Sequence, residues 1–174
     1  MFRTFFMGCL LGALAMLQGC SSGPSLAGQP YYQGPAEASG DSATLYFFRE
    51  EHEVGSAVSQ NIFIDEKLVG ALPNGGYFKT QVAAGTRSVV ASRGSFLQGD
   101  LGDGKFNLVL ESGKTYFIAN ETSRRPYEDD RGLTEVQEGT FRQFEHYYFR
   151  WASVPQGEAE KRMKACRLVP DVRH

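Results

Sequence analysis

The chain has little of what catalysis and metal binding most often use. Its 174 residues hold three histidines (His52, His146, His174) and three cysteines (Cys9, Cys20, Cys166). Scattered histidines without paired cysteines argue against a zinc site, so no metal is expected. No Gly-x-Ser-x-Gly elbow occurs, so the sequence marks no nucleophile, and no catalytic residue is assigned. Ser56 and Ser59 lie near His52, but nearness in sequence does not set the geometry of a triad. Asp100 to Gly104 lacks the alternating acids of a calcium loop and reads as a turn, and Glu128 to Arg131 reads as a solvated charged loop. The formal charge is −2, and without a basic imbalance nucleic acid is not an expected partner. No apolar run reaches the roughly 20 residues of a membrane-spanning helix.

What is present starts at the N-terminus. Arg3 is the only charged residue before Cys20, and Phe5 to Leu17 gives 13 uncharged residues. A charged start, a short apolar run and a cleavage site make a secretory signal, here residues 1–19, with Cys9 inside it. Leu17-Gln18-Gly19-Cys20 resembles the lipobox of bacterial lipoproteins. The resemblance implies cleavage before Cys20, diacylation of its thiol and usually acylation of the new amine. That lipid is the one covalent group expected, and no other cofactor is. Each buried methylene contributes about 0.8 kcal/mol, so two or three chains anchor stably where one does not. Ser21 and Ser22 follow, where an aspartate would favour inner-membrane retention in Gram-negative lipoproteins. The expected address is therefore the bacterial cell envelope, at the periplasmic face of the outer membrane.

Cleavage of the 19-residue signal from 174 leaves 155 residues, and loss of Arg3 takes the charge from −2 to −3. That length suits one domain with its own core. Residues 20–42 are rich in Ser, Gly, Pro, Ala and Gln and read as a flexible tether, with Tyr31-Tyr32 interrupting it. Cys166 is the one free thiol after lipidation, so no internal disulfide is possible; a buried, inert thiol is the preferred reading.

Residues 43–137 carry strand signals. Ala43 to Arg49, Gln60 to Asp65 and Lys67 to Leu72 are β-rich, with a tight turn at Asp65-Glu66-Lys67. Pro73-Asn74-Gly75-Gly76 is a turn, and Tyr77 to Val82 alternates as a half-buried strand does. Val82 to Thr86 and Leu110 to Lys114 each place a glycine where a short hairpin loop needs a left-handed residue. They predict two hairpins, the second pairing Phe106 to Leu110 with Thr115 to Ala119. Leu133 to Val136 is one more strand candidate. Short strands at regular spacing predict an antiparallel β-sandwich. Residues 138–174 change character and read as an aromatic and helical C-terminal extension. Phe141, Phe144, Tyr148 and Trp151 recur at helical spacing. Glu158 to Leu168 predicts a helix with acids early and bases late, burying Ala159, Met163 and Cys166.

LYFFRE (Leu45 to Glu50), GSAVSQNIFIDEKLVGALPNGGYF (Gly55 to Phe78), VAAGTRSVV (Val82 to Val90) and ESGKTYFIAN (Glu111 to Asn120) together resemble domain-of-unknown-function family 2846 of bacterial lipoproteins. The inner portion is similar to the PEGA-type strand pattern. Glu66 stands where that pattern often has Gly, and Arg87 where it often has His. The resemblance implies an immunoglobulin-like or PEGA-like sandwich of the envelope and supplies no catalytic residues.

Binding candidates remain. Arg49 follows an aromatic run and could stack or hold a carboxylate. Arg124, Arg125 and Tyr127 join two cations to an aromatic on one loop, suited to an anionic glycan, lipid headgroup or protein. The expected function is a membrane-anchored, non-catalytic envelope adaptor or structural module, its partner an envelope protein or glycan. The alternative is an envelope hydrolase or glycan-active enzyme using loop carboxylates or a Ser/His pair.

Overall fold

Ser42–Phe48 forms the first strand, β1, and all but its first residue are buried. Successive side chains of a strand point to opposite faces, so a strand buried along its length needs cover on both. That requirement sets the architecture. The structure is a computed structural model and describes residues 24–36, 40–93, 104–141 and 145–170. After β1 come β2 (Gln60–Ile64), β3 (Lys67–Leu72), β4 (Gly76–Ala83), β5 (Gly85–Arg93), β6 (Gly104–Leu110), β7 (Thr115–Ser123), β8 (Gln137–Phe141) and β9 (Glu145–Ser153). A helix, α1 (Gln156–Met163), and a two-residue strand, β10 (Arg167–Leu168), follow. One sheet runs β10-β4-β1-β7-β9-β8 and the other β3-β2-β5-β6. The protein is mainly β, two facing sheets with one short C-terminal helix among the described residues. Two pairs, β1 with β7 and β10 with β4, are parallel.

Leu45 and Phe47 face the second sheet and join Ile62, Leu72, Val89, Leu108 and Trp151 in the main core. Tyr46 and Phe48 face the other way. There α1 and the N-terminal segment cover them with Ala159, Met163, Cys166 and Tyr32. The molecule therefore has three layers.

Three expectations are corrected. The stretches after Val82 and Leu110 are not hairpins: β4 and β7 lie in one sheet, and β5 and β6 in the other. Gly85 and Gly113 do take positive φ, +114° and +70°. The left-handed residues turn corners between sheets, because β1 claims both β4 and β7. The turn at Asp65-Glu66, with both φ positive, is a true hairpin joining β2 to β3.

Second, the aromatic stretch before Trp151 is strand. β8 and β9 pair antiparallel in the six-stranded sheet, so residues on both sides of position 137 build one domain. The helical spacing arose because both faces of β9 are partly covered, and aromatics at either parity find a place. Phe144 lies outside the described residues. Leu133 to Val136 makes no strand, although Gly132 bridges Ala152 next to it.

Third, residues 24–36 are packed on the domain. Leu26 packs against the main core. Tyr32 is buried, edge-on to Tyr46 and Tyr77. Tyr32 N–H donates to Cys166 C=O at 3.1 Å, and Leu168 N–H donates to Pro30 C=O at 2.9 Å. Most of the expected tether is a strap.

Helix α1 buries Ala159 and Met163 as its spacing required, with Glu158 in its first turn and Lys161 and Arg162 in its last. Cys166 follows it, fully buried, and burial pushes its thiol up to about 12. The thiolate is the reactive form. Native protein should therefore leave Cys166 unmodified by iodoacetamide at pH 8 and be labelled once unfolded in guanidinium. Rapid labelling of native protein would contradict this packing.

Candidate functional site

The C-terminal end of β7 and the middle of β9 lie side by side, with Thr122 opposite Phe149 and Ser123 opposite Tyr148. Thr122, Ser123, Arg124 and Tyr147 meet His52, Glu53 and Val54 of the β1–β2 connection around an open cleft of about 270 Å³. Arg124 stands at its rim, 69% exposed and 3.8 Å from Glu145. Its guanidinium carbon is 5.6 Å from the Tyr147 ring centre. Tyr147 is buried and donates its hydroxyl to Glu145 Oε2 at 2.8 Å. Thr122 Oγ1 is a buried hydroxyl with no hydrogen-bond partner among the described residues.

His52 is held by its backbone. Its N–H donates to Asn74 Oδ1 at 3.1 Å, and Asn74 Nδ2 donates to its carbonyl at 3.0 Å. Burial lowers the pKa of its ring, Glu50 opposes that shift, and Arg49 and Arg162 add to it. The cleft thus offers a neutral imidazole at neutral pH, a cation and an aromatic side chain.

The predicted trio on the neighbouring loop is split. Arg124 lines the cleft, and Arg125 is exposed, its N–H on Ser123 Oγ at 3.0 Å. Tyr127 turns inward. Its ring lies 3.8 Å from the guanidinium carbon of Arg150, and its hydroxyl is 3.4 Å from the Tyr148 carbonyl. Arg49 is buried rather than presented to a ligand. It donates to Val58 C=O at 2.7 Å and Gly55 C=O at 2.9 Å, pinning the connection that carries His52. Gly55 has a φ of +74°, and a Cβ there would come within 3.0 Å of the Arg49 guanidinium. Cys20 lies outside the described residues.

Sequence reasoning missed the largest charged feature, a closed ring of alternating sign. Buried Arg150 donates from Nε to Glu121 at 2.8 Å and from its Nη2 to Asp129 at 2.9 Å. Glu121 accepts from Arg162 at 2.7 Å. Arg162 meets Glu158 at 3.3 Å and also donates to Glu50 at 2.8 Å. Arg131 closes the ring, reaching Glu158 at 2.7 Å and Asp129 at 3.2 Å. Only Arg162 and Glu158 are spaced i,i+4; the other partners come from β7, β9 and the intervening loop. The signal in sequence was alternation itself, since Glu121 and Arg150 occupy outward-facing positions of apolar strands.

Hydrogen bonds from Arg150 and then Arg131 hold the Asp129 carboxyl well below the usual carboxylate range. A depressed carboxylate stabilises the fold fully above its unfolded pKa, and that contribution is lost as pH falls toward its folded one. Asp129→Asn should therefore lower stability at neutral pH and flatten the loss below pH 4. Parallel acid-unfolding curves for the two proteins would contradict this.

A two-sheet, mainly β sandwich with a rim cation is the class these features define. The chain belongs to the family described as protein of unknown function (DUF2846), whose model matches residues 39–133. An uncharacterized protein of Haemophilus influenzae is 26% identical over 141 residues, covering 78% of each chain. No solved structure matches. The family match stops before β8, so β8, β9, α1, β10 and the strap lie outside it.

Proposed function

We propose that this is a lipid-anchored envelope protein whose β-sandwich works by binding, as an adaptor or structural module. Lipidation at Cys20 would hold it to the membrane, and the cleft beside Arg124 would take an anionic group of an envelope protein or glycan. The observation that carries the binding reading is the division of charge. Glu121, Asp129 and Glu158 are each held by arginines in the ring, while Arg124, beside Tyr147 and 3.8 Å from Glu145, is mostly exposed at the cleft rim. Carboxylates engaged with arginines in this way are poorly placed to pass a proton to or from a substrate, as the acid–base work of a hydrolase requires.

Two arms test this. Cys20→Ala should move the protein from the membrane fraction to the soluble periplasm; retention in membranes would contradict the anchor. A photo-crosslinker at Ser123, beside the cleft, should give a discrete adduct in intact cells that Arg124→Glu abolishes. The same adduct from a crosslinker at Lys67, on the other sheet, would contradict a binding role for the cleft.

A further inference from the structure

The strap changes what the anchor does. Leu26, the first described residue whose side chain packs on the core, lies six positions beyond Cys20. Six residues at full extension span about 20 Å. A loose tether through residue 42 would have reached about 75 Å at full extension by the same measure. The leash is short, and the strap it leads into runs, through Pro30 and Tyr31, beside β10, the edge strand of the six-stranded sheet.

That edge carries groups suited to a headgroup layer. Tyr31 bridges to Arg167 and is 45% exposed. The Arg167 guanidinium lies 4.2 Å from the Tyr31 ring centre. Its hydrogen bonds go to Gln29 C=O at 3.1 Å and Tyr31 Oη at 2.7 Å, both neutral oxygens, and among the described residues it has no carboxylate partner. Lys164 is exposed just before it. Tyrosine and basic side chains are the residues that settle at a bilayer interface.

Resting on the lipid anchor at Cys20, we propose that the domain is seated on its own bilayer. The strap and β10 edge would rest on the phospholipid headgroups, with Tyr31 and Arg167 at phosphate depth. The far edge, β8, is five strand spacings away, about 24 Å. β7 and β9, which supply much of the cleft, are three and four spacings from β10. The seat therefore directs the cleft toward a periplasmic partner rather than toward lipid.

The test uses the full lipidated protein in vesicles of phosphatidylethanolamine and phosphatidylglycerol containing a headgroup-spin-labelled lipid. A fluorophore is placed at Gln33→Cys on the strap or at Thr140→Cys on β8, both exposed positions. The strap probe should be strongly quenched and the β8 probe should match vesicles without spin label. Tyr31→Ala with Arg167→Glu should abolish most of that difference while circular dichroism and vesicle flotation stay unchanged. Equal quenching of the two probes in floating protein, or an undiminished difference in the double variant, would overturn the seat and leave the anchor standing. Failure of the wild type to float, or equal flotation of Cys20→Ala, would overturn the anchor and the seat with it.

Discussion

Arg150→Ala is expected to destabilise the domain by about 3–5 kcal/mol, the usual cost of removing one member of a buried charge pair. For a chain of this size that lowers the midpoint of thermal unfolding by about 10–20 °C. The side chain is 2% exposed and meets Glu121, itself 7% exposed, at 2.8 Å. Its loss also leaves Asp129 with Arg131 as its remaining partner and uncovers the ring of Tyr127. Glu121 would keep Arg162, so the ring opens rather than vanishes. The penalty comes mainly from leaving charge in a dry place, not from the strength of the lost pair. Arg150→Met combined with Glu121→Leu should therefore recover part of the stability that Arg150→Ala loses. Thermal unfolding by circular dichroism checks both. A midpoint within a few degrees of wild type for Arg150→Ala would mean that water reaches this network.

Trp151→Ala should cost a comparable amount, about 3–5 kcal/mol, through a cavity rather than a charge. Trp151 is 3% exposed and ties the sheets together. It belongs to the six-stranded sheet yet meets Phe106 of the other, at 6.0 Å between ring centres, and Phe47 at 6.2 Å. Gly104 makes room, since a Cβ there would lie 2.7 Å from Trp151 Cδ1. Urea unfolding should show a single transition moved to lower concentration. A separate early transition, with the rest of the domain unaffected, would mean that residues after 137 fold as an appendage.

Local chemistry was legible in the sequence, and pairing was not. Strand positions through β7 followed from β-rich composition, turn residues and alternation, and the positive φ values of Gly85 and Gly113 followed from turn chemistry. Whether such a glycine closes a hairpin or turns a corner depends on which strand claims each neighbour, and that is set by β1 in the centre of its sheet. The β9 stretch misled because outward-facing positions are also covered, which erases the two-residue period. Ser, Gly and Pro in residues 24–36 suggested slack. Yet two backbone hydrogen bonds and the burial of Tyr32 suffice to dock that segment. Of the binding candidates, Arg124 lines the cleft, while Arg49 and Tyr127 are used internally. The charged ring joins residues up to 41 positions apart, beyond the reach of any spacing rule.

The family match covers only part of what holds this fold together. Trp151, Arg150 and Arg162 all lie after residue 133, and both large predicted effects fall there. The strap is likewise outside it and sets the length of the leash.

Anchor, leash and seat all rest on a lipid at Cys20. The most direct measurement is mass spectrometry of the N-terminal peptide of protein purified from native membranes. The peptide is expected to start at Cys20 and to carry a diacylglyceryl group on its sulfur. A peptide that starts elsewhere, or an unmodified Cys20, would contradict it.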